Sequence, residues 1–184
     1  MIKHVIYFHG YGSSPDSEKV KDLRKALEVM DESDYKVHAF PIDIDPDKAY
    51  LELTEHIDNL LLEDMHNDDK LIFMGTSLGG WWASKLGALY DISAIVINPP
   101  EKPSETLPKY GEPEEITSKY EDFTIGQDNV YFFAEEDEVI DNLELRKKIA
   151  TARLPVFIVE GADHRFGGTH FSMAIHVLKN MITV

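Results

Sequence analysis

The segment from Lys70 to Ala83 limits what this chain can fold into more than any other segment. A short apolar run leads directly into Gly75-Thr76-Ser77-Leu78-Gly79, and a helical pattern begins at once. The two glycines stand two residues before and two residues after Ser77, where a very tight turn leaves space only for hydrogen side chains. This G-x-S-x-G pattern therefore predicts a strand, a sharp turn and a helix, with the Ser77 hydroxyl raised above the end of the strand.

Short apolar runs alternate with helical patterns along the rest of the chain. Six such runs are predicted to be strands: 5–8, 35–40, 70–74, 92–97, 130–133 and 155–159. Strands that alternate with helices favour parallel pairing with helices on both faces of the sheet. We therefore predict an α/β fold over residues 1–184, a single three-layer domain with a mostly parallel six-stranded sheet.

Apolar residues spaced three or four apart predict the helices and their buried faces. We expect the first helix to begin with Ser14 as its N-cap and Pro15 at its first position, and another helix to begin around Asp45. The residues expected to face the core are Val20, Leu23, Leu27, Met30, Leu53, Ile57, Leu60, Leu61, Leu78, Trp82, Leu86, Leu89, Phe171, Ile175, Leu178 and Met181.

One long excursion, residues 98–128, follows the fourth predicted strand and shows no strong period. Loops of this length inside a small domain are usually lids or binding segments. We expect this segment to form a lid or the wall of a binding pocket, with a solvated insertion as the alternative.

Composition excludes several classes of protein. The chain has no Cys, which excludes disulfides, thiolate catalysis and cysteine-based metal sites. Its formal net charge of −16 argues against binding nucleic acid, because the phosphate backbone would be repelled. No apolar run approaches membrane-spanning length, and the first eight residues are too mixed for a signal peptide. We expect a soluble cytoplasmic protein that does not bind membranes, and its oligomeric state stays open.

A serine hydroxyl is a weak nucleophile at neutral pH, so Ser77 would need a base and an acid that orients the base. In a fold of this kind the partners follow Ser in the order Asp or Glu, then His. The loop 134–141 follows the fifth predicted strand, and the loop 160–166 follows the sixth. In a parallel sheet both loops lie at the same edge as Ser77.

His164 is predicted to be the base because it alone occupies the loop after the last strand. Asp137 is predicted to orient it. Asp141 is set aside as part of a capping box with Glu144, and Asp163 because it directly precedes His164. Glu136 and Glu138 are interpreted as solvated neighbours of Asp137.

The oxyanion hole of such a site needs two backbone N–H donors. We predict that Leu78, directly after Ser77, provides one and that Tyr11, in the loop after the first strand, provides the other. The expected substrate pocket includes His9, Gly10 and Trp81, with His9 otherwise shaping its loop.

With these residues in place, the chain resembles the α/β-hydrolase superfamily and, more narrowly, the small YqiA/YcfP-type bacterial esterases. The resemblance rests on five groups of residues spread over nearly the whole chain: Tyr7-Phe8-His9-Gly10-Tyr11 with Ser13-Ser14-Pro15, Gly75 to Trp82, Ile97-Asn98-Pro99-Pro100 with Pro103, Leu107, Tyr110 and Gly111, Asp137-Glu138-Val139, and Asp163-His164-Arg165-Phe166. It implies a compact hydrolase core that acts on carboxylic esters or thioesters without a cofactor.

The leading hypothesis is a serine esterase that uses no metal ion, forms an acyl-enzyme at Ser77 and takes a small-molecule acyl ester or thioester as its substrate. Two alternatives stay open. One is hydrolysis of an acyl-CoA thioester or a peptide bond by the same residues. The other is a binding or regulatory protein on a hydrolase scaffold without turnover.

Overall fold

Six parallel strands form one sheet in the computed structural model, which describes residues 1–28 and 34–183. The strands are β1 (Lys3–Phe8), β2 (Tyr35–His38), β3 (Lys70–Thr76), β4 (Ala94–Ile97), β5 (Val130–Ala134) and β6 (Val156–Val159). Their order in the sheet is β2-β1-β3-β4-β5-β6, and every neighbouring pair is parallel. The predicted α/β class and six-stranded sheet are confirmed, although β2, β4 and β6 are shorter than the apolar runs suggested.

Helices cover both faces of this sheet, as predicted. The longer helices are α1 (Glu18–Glu28), α2 (Pro46–Asn59, followed by a π-helical turn at Leu60–Asp64), α3 (Leu78–Tyr90), α6 (Leu143–Thr151) and α7 (Gly168–Thr183). Side chains alternate along each strand, so Val5 packs with α1 and α7, whereas Ile6 packs with α2, α3 and α6. The segment after β4 contains α4 (Pro103–Thr106), a 3-10 turn (Leu107–Tyr110) and α5 (Glu114–Thr117).

The predicted start of α1 is wrong by three residues. Ser14 and Pro15 belong to a turn that precedes the helix, in which the Ser17 N–H donates to the Ser14 carbonyl at 3.2 Å. The Ser14 hydroxyl accepts a hydrogen bond from the Asp16 N–H, so it stabilises this turn instead of the helix. The first helical hydrogen bond runs from the Lys21 N–H to the Ser17 carbonyl.

A few other expected details also differ. Leu61 is 36% exposed because a π-helical turn shifts the register after Leu60, and Leu89 is 54% exposed in the last turn of α3. The N-cap of α6 is Asn142, one residue beyond the predicted Asp141. Met30 lies outside the described residues. In the described ranges, no helix is long and apolar enough to cross a membrane.

All six strands point the same way, so the loops that follow them converge on one edge of the sheet. Ser77 directly follows β3, the loop 135–142 follows β5, and the loop 160–167 follows β6. The loop 9–17 after β1 and the segment 98–128 after β4 lie at the same edge. This topology places the predicted functional residues together although they are far apart in sequence.

Two histidines lie next to each other on the neighbouring strands β1 and β2. His4 is fully buried, and its Nδ1 lies 3.0 Å from Nε2 of His38. Burial lowers the pKa of His4, and burial together with the nearby His4 lowers the pKa of His38 to about 4. Both side chains therefore resist protonation in the folded protein more than in the unfolded chain.

This histidine pair predicts a loss of stability in mild acid. Between pH 6.5 and about 4 the unfolded chain binds more protons than the folded protein, so the free energy of unfolding falls as the pH falls. We expect a decrease of about 2 kcal/mol between pH 7 and pH 4 in urea titrations, and a smaller decrease in His38→Gln. His176→Gln, at an exposed position of α7, is the control and should retain the full decrease. An unchanged pH dependence in His38→Gln would contradict this interpretation.

Candidate active site

Ser77 lies in a strained turn between β3 and α3. Its backbone has φ 57° and ψ −128°, a conformation that residues other than glycine rarely adopt. The Ser77 N–H donates to the Ile97 carbonyl at 2.8 Å, which ties the turn to the end of β4. The predicted reason for both glycines holds, because a Cβ on Gly75 would lie 2.1 Å from the Gly79 oxygen and a Cβ on Gly79 would lie 1.9 Å from the Phe8 oxygen.

The structure brings Ser77, His164 and Asp137 into one line of hydrogen bonds. The Ser77 Oγ lies 3.0 Å from the His164 Nε2. The His164 Nδ1 lies 2.8 Å and 2.9 Å from the two carboxylate oxygens of Asp137. The Asp137 side chain is only 1% exposed, whereas that of His164 is 12% exposed, so the acid is shielded and the imidazole reaches the surface of the site.

Several donors hold Asp137 in its charged form. Its Oδ1 accepts hydrogen bonds from the Val139 and Ile140 N–H groups at 2.9 Å, and its Oδ2 accepts one from the Asn142 side-chain amide at 3.2 Å. Burial acts to raise the pKa of this carboxyl, but the hydrogen bonds from His164 and the backbone outweigh it and hold the pKa below its usual range. A carboxylate in this position accepts the Nδ1–H of His164 and leaves Nε2 unprotonated toward Ser77.

Two residues that position the His164 loop were missed by the sequence analysis. Asn98 is fully buried; its side-chain amide donates to the His164 carbonyl at 3.0 Å, and its Oδ1 accepts from the Ala134 N–H at 2.8 Å. Glu138 accepts a hydrogen bond from the His164 N–H at 3.0 Å. It therefore helps to hold the His164 loop and is more than the solvated neighbour of Asp137 that was predicted. The available signal was a polar residue, Asn98, directly after a predicted strand, where its side chain would need hydrogen-bond partners if buried.

The two predicted oxyanion donors lie beside Ser77. Leu78 is the first residue of α3, and Gly10 packs so closely that a Cβ there would lie 3.3 Å from the Ser77 Cβ, which brings the neighbouring Tyr11 backbone close. Neither the Leu78 nor the Tyr11 N–H donates a hydrogen bond to any residue within 1–28 or 34–183. Both N–H groups are thus free to bind a ligand, and that role remains a prediction.

A cavity of about 560 Å³ opens beside Ser77 and His164. We call it the Ser77 cavity; its other lining residues are Tyr7, Gly10, Tyr11, Gly12, Ser13, Ser17, Glu18, Lys19, Thr76, Leu78, Pro100, Thr106, Leu107, Tyr110, Val139, Ile140 and Arg165. The segment 98–128 contributes part of this wall. It also contacts the opposite loop, since the Tyr11 hydroxyl donates to Glu112 at 2.7 Å.

Two of the three residues expected in the pocket do not line this cavity. Gly10 does, but Trp81 packs against Trp82 and Tyr120 in the core and lines a separate cavity next to α2. The helical spacing placed Trp82, but not Trp81, on the buried face of α3, whereas the structure buries both rings. The His9 side chain is buried, with its Nδ1 3.0 Å from the Gly10 carbonyl, so it shapes the loop instead.

The described residues offer no evident metal site. In 1–28 and 34–183, no group of three or more His, Asp and Glu side chains is arranged to hold an ion. The functional groups that the structure places at this site are a hydroxyl, an imidazole, a carboxylate and two backbone N–H donors.

Solved structures of other proteins match the fold over nearly the whole chain. Est1E from Butyrivibrio proteoclasticus aligns with a TM-score of 0.72 at 13% identity, over 100% of this chain and 89% of that one. The esterase Pf2001 from Pyrococcus furiosus aligns with a TM-score of 0.70 at 19% identity, over 97% of this chain and 81% of that one. At such identities the likeness establishes the fold alone, which is that of the α/β hydrolases.

The chain belongs to the uncharacterised protein family UPF0227, whose family model matches residues 4–182. The UPF0227 protein ECA1814 from Pectobacterium atrosepticum is 30% identical over 112 residues, which are 60% of this chain and 59% of that protein. The UPF0227 protein YcfP from Salmonella arizonae is 31% identical over the same shares. The match therefore spans less than two thirds of these relatives. The predicted resemblance to the YcfP-type family is confirmed.

The strained backbone of Ser77 predicts a difference between two substitutions that both remove the hydroxyl. Glycine relieves the unfavourable φ at this position, whereas alanine keeps it. The greater freedom of glycine in the unfolded chain offsets part of this gain. We therefore expect the free energy of unfolding of Ser77→Gly to be about 1 kcal/mol higher than that of Ser77→Ala. Urea unfolding at pH 7 measures the difference. Equal stability, or a more stable Ser77→Ala, would show that the turn is not strained.

Proposed function

We propose that this protein is a serine hydrolase that cleaves carboxylic acyl esters through an acyl-enzyme at Ser77. The observation that carries the proposal is the continuous line of hydrogen-bonding atoms from the Ser77 Oγ to the His164 Nε2, at 3.0 Å, and from the His164 Nδ1 to Asp137, at 2.8 Å. This arrangement lies beside the Ser77 cavity, where a small ester can reach the hydroxyl.

In the first step, His164 acts as a general base. Because Asp137 accepts the Nδ1–H, the Nε2 of the neutral imidazole has a lone pair for the Ser77 proton. As the Ser77 Oγ attacks the carbonyl carbon, the imidazole becomes charged, and the buried Asp137 carboxylate stabilises that charge. The protonated Nε2 then donates its proton to the departing alcohol, and the acyl group remains on Ser77.

The negative charge on the carbonyl oxygen of the tetrahedral intermediate needs donors that are already in place. The Leu78 and Tyr11 N–H groups are proposed for this role, supported by their position next to Ser77 and by the lack of other partners among the described residues. Leu78 also begins α3, whose positive end favours an oxyanion.

In the second step, water releases the acyl group. His164 takes a proton from the water, the resulting hydroxide attacks the acyl carbon, and Ser77 leaves with the proton from Nε2. We propose that the acyl group lies against the apolar part of the cavity, which Leu107, Ile140 and Pro100 form. The segment 98–128 would then act as a pocket wall.

The names of structural neighbours are consistent with this proposal. Pf2001 is described as an esterase, and XC6422 from Xanthomonas campestris as an a/b serine hydrolase without a lid; XC6422 aligns with a TM-score of 0.61 at 15% identity, over 98% of this chain and 78% of that one. Those descriptions apply to those proteins, and they support the proposal for this chain only through the shared fold.

Removal of the Ser77 hydroxyl should abolish ester hydrolysis. We expect Ser77→Ala to lower kcat for p-nitrophenyl butyrate by roughly 10³-fold or more, and Asp137→Asn to lower it on the order of 10³-fold because the His164 tautomer is no longer fixed. Ser13→Ala is the matched control, because Ser13 lines the same cavity outside the hydrogen-bonded line. Release of p-nitrophenolate measures all three rates.

Reaction with a fluorophosphonate separates an enzyme from a binding protein on the same scaffold. The wild type should be labelled at Ser77, and His164→Ala should react far more slowly because no base activates the hydroxyl. The proposed function would be contradicted if Ser77→Ala hydrolysed the ester at the wild-type rate. It would also be contradicted if the wild type and His164→Ala were labelled at equal rates.

A further inference from the structure

The Ser77 cavity has two unlike walls. Its apolar wall comes from the segment 98–128 and from the loop after β5, with Leu107 and Ile140 as buried members. Another part of the lining is polar; it comes from the start of α1 and from the residue after His164, and it contains two cations beside the carboxylate of Glu18. We call this part the basic wall and define it as Ser17, Lys19 and Arg165.

The two cations of the basic wall form no close ion pair with the described residues, although Asp163 and Asp22 act on Lys19 from a greater distance. Neither Lys19 nor Arg165 forms an ion pair or a side-chain hydrogen bond with any residue in the described part of the chain. Other lysines do form ion pairs with carboxylates: Lys21, Lys48, Lys85, Lys102, Lys119, Lys147 and Lys148. Several other cations, among them Lys25 and Lys109, also lack a close ion pair, but Lys19 and Arg165 are the two that line the Ser77 cavity within the described part of the chain.

The nearby acidic groups are already engaged. Glu18 lines the same cavity, but its carboxylate pairs with Lys21 at 2.7 Å. Asp163 acts on Lys19 from a distance, and its Oδ1 accepts a hydrogen bond from the Phe166 N–H at 2.9 Å. Burial lowers the pKa of Lys19, Asp163 raises it, and Arg165 lowers it by a smaller effect than that of Asp163, so Arg165 repels Lys19 while Asp163 and Asp22 attract it. A bound anion would relieve that repulsion.

Ser17 adds a hydrogen-bond donor that has no partner. Its hydroxyl oxygen is buried and forms no hydrogen bond with the described residues, although the side chain lines the cavity. Ser17 directly precedes α1, a helix of 11 residues, and its carbonyl accepts the first helical hydrogen bond. A buried hydroxyl without a partner is costly unless a ligand binds it.

We propose that the basic wall binds a carboxylate or phosphate group of the substrate, so that the protein hydrolyses anionic esters in preference to neutral ones. This inference rests on the proposed function and adds the chemical class of the substrate to it. Lys19 and Arg165 provide the charge, and the Ser17 hydroxyl donates a hydrogen bond to the same anion. The anion can belong to the acyl part or to the alcohol part of the ester, because the basic wall and the apolar wall both border Ser77.

Two matched pairs of esters test this proposal. Methyl hydrogen glutarate and its carboxamide analogue place the anion on the acyl part. The butyryl esters of 3-hydroxypropanoate and 3-hydroxypropanamide place it on the alcohol part. We expect the wild type to show a kcat/KM roughly tenfold higher for the carboxylate than for the carboxamide in one pair, and that pair identifies the anion's position.

The variants Lys19→Gln, Arg165→Gln and the double variant should lower this ratio, with the ratio of the double variant close to one. The ratio separates charge recognition from any general effect on the neighbouring His164. Lys25→Gln, at an exposed position of the same helix outside the cavity, is the matched control and should keep the ratio. A wild-type ratio at or below one for both pairs, or an unchanged ratio in the double variant, would overturn the proposal.

A binding measurement distinguishes failure of this proposal from failure of the proposed function. Titration of the four esters into Ser77→Ala should show tighter binding of one carboxylate than of its carboxamide, with the difference lost when Lys19→Gln and Arg165→Gln are added. If the wild type hydrolyses none of these esters but Ser77→Ala retains this preference, the esterase proposal fails and the anion site stands. If Ser77→Ala binds carboxylate and carboxamide equally, the anion site fails.

Discussion

The close contact between α3 and the ends of β1 and β3 determines where the rest of the site lies. At Gly79 the helix backbone passes so near the Phe8 carbonyl that no side chain fits, and at Gly75 the strand meets the helix in the same way. This contact forces Ser77 into a backbone conformation that costs roughly 1–3 kcal/mol. The sheet tolerates this cost because the Ser77 N–H is held by β4, and the hydroxyl is thereby fixed in front of His164.

The central features of the site could be predicted because they depend on chain order and on strand direction. Once the apolar runs are assigned to parallel strands, the residues after each run must meet at one edge. Ser77, Asp137 and His164 were chosen on that basis. The structure places the Ser77 Oγ 3.0 Å from the His164 Nε2, and the His164 Nδ1 2.8 Å from Asp137. The predicted close packing at Gly75 and Gly79 follows from sterics alone, so it required no knowledge of the remaining fold.

Other features of the site depend on contacts between residues that are distant in sequence, and a local sequence pattern does not predict such contacts. Asn98 was not recognised as a positioning residue because its partner His164 lies 66 residues away. Trp81 was expected in the substrate pocket, but its ring packs against Trp82 and against Tyr120 of the segment 98–128, a contact that the sequence of α3 alone does not give. The start of α1 was misjudged because Ser14 and Pro15 suit both a turn and a helix start, and the turn prevailed.

The acyl-enzyme is the species whose detection tests the central claim most directly. During turnover of p-nitrophenyl butyrate, acid quenching and peptide mass spectrometry should find a butyryl group on the peptide that contains Ser77, and Ser77→Ala should carry none. A rapid burst of p-nitrophenolate, of up to one equivalent per protein, should accompany it where deacylation is slower than acylation. Hydrolysis with no acyl group on Ser77, or an acyl group on another residue that forms at the rate of turnover, would contradict the claim.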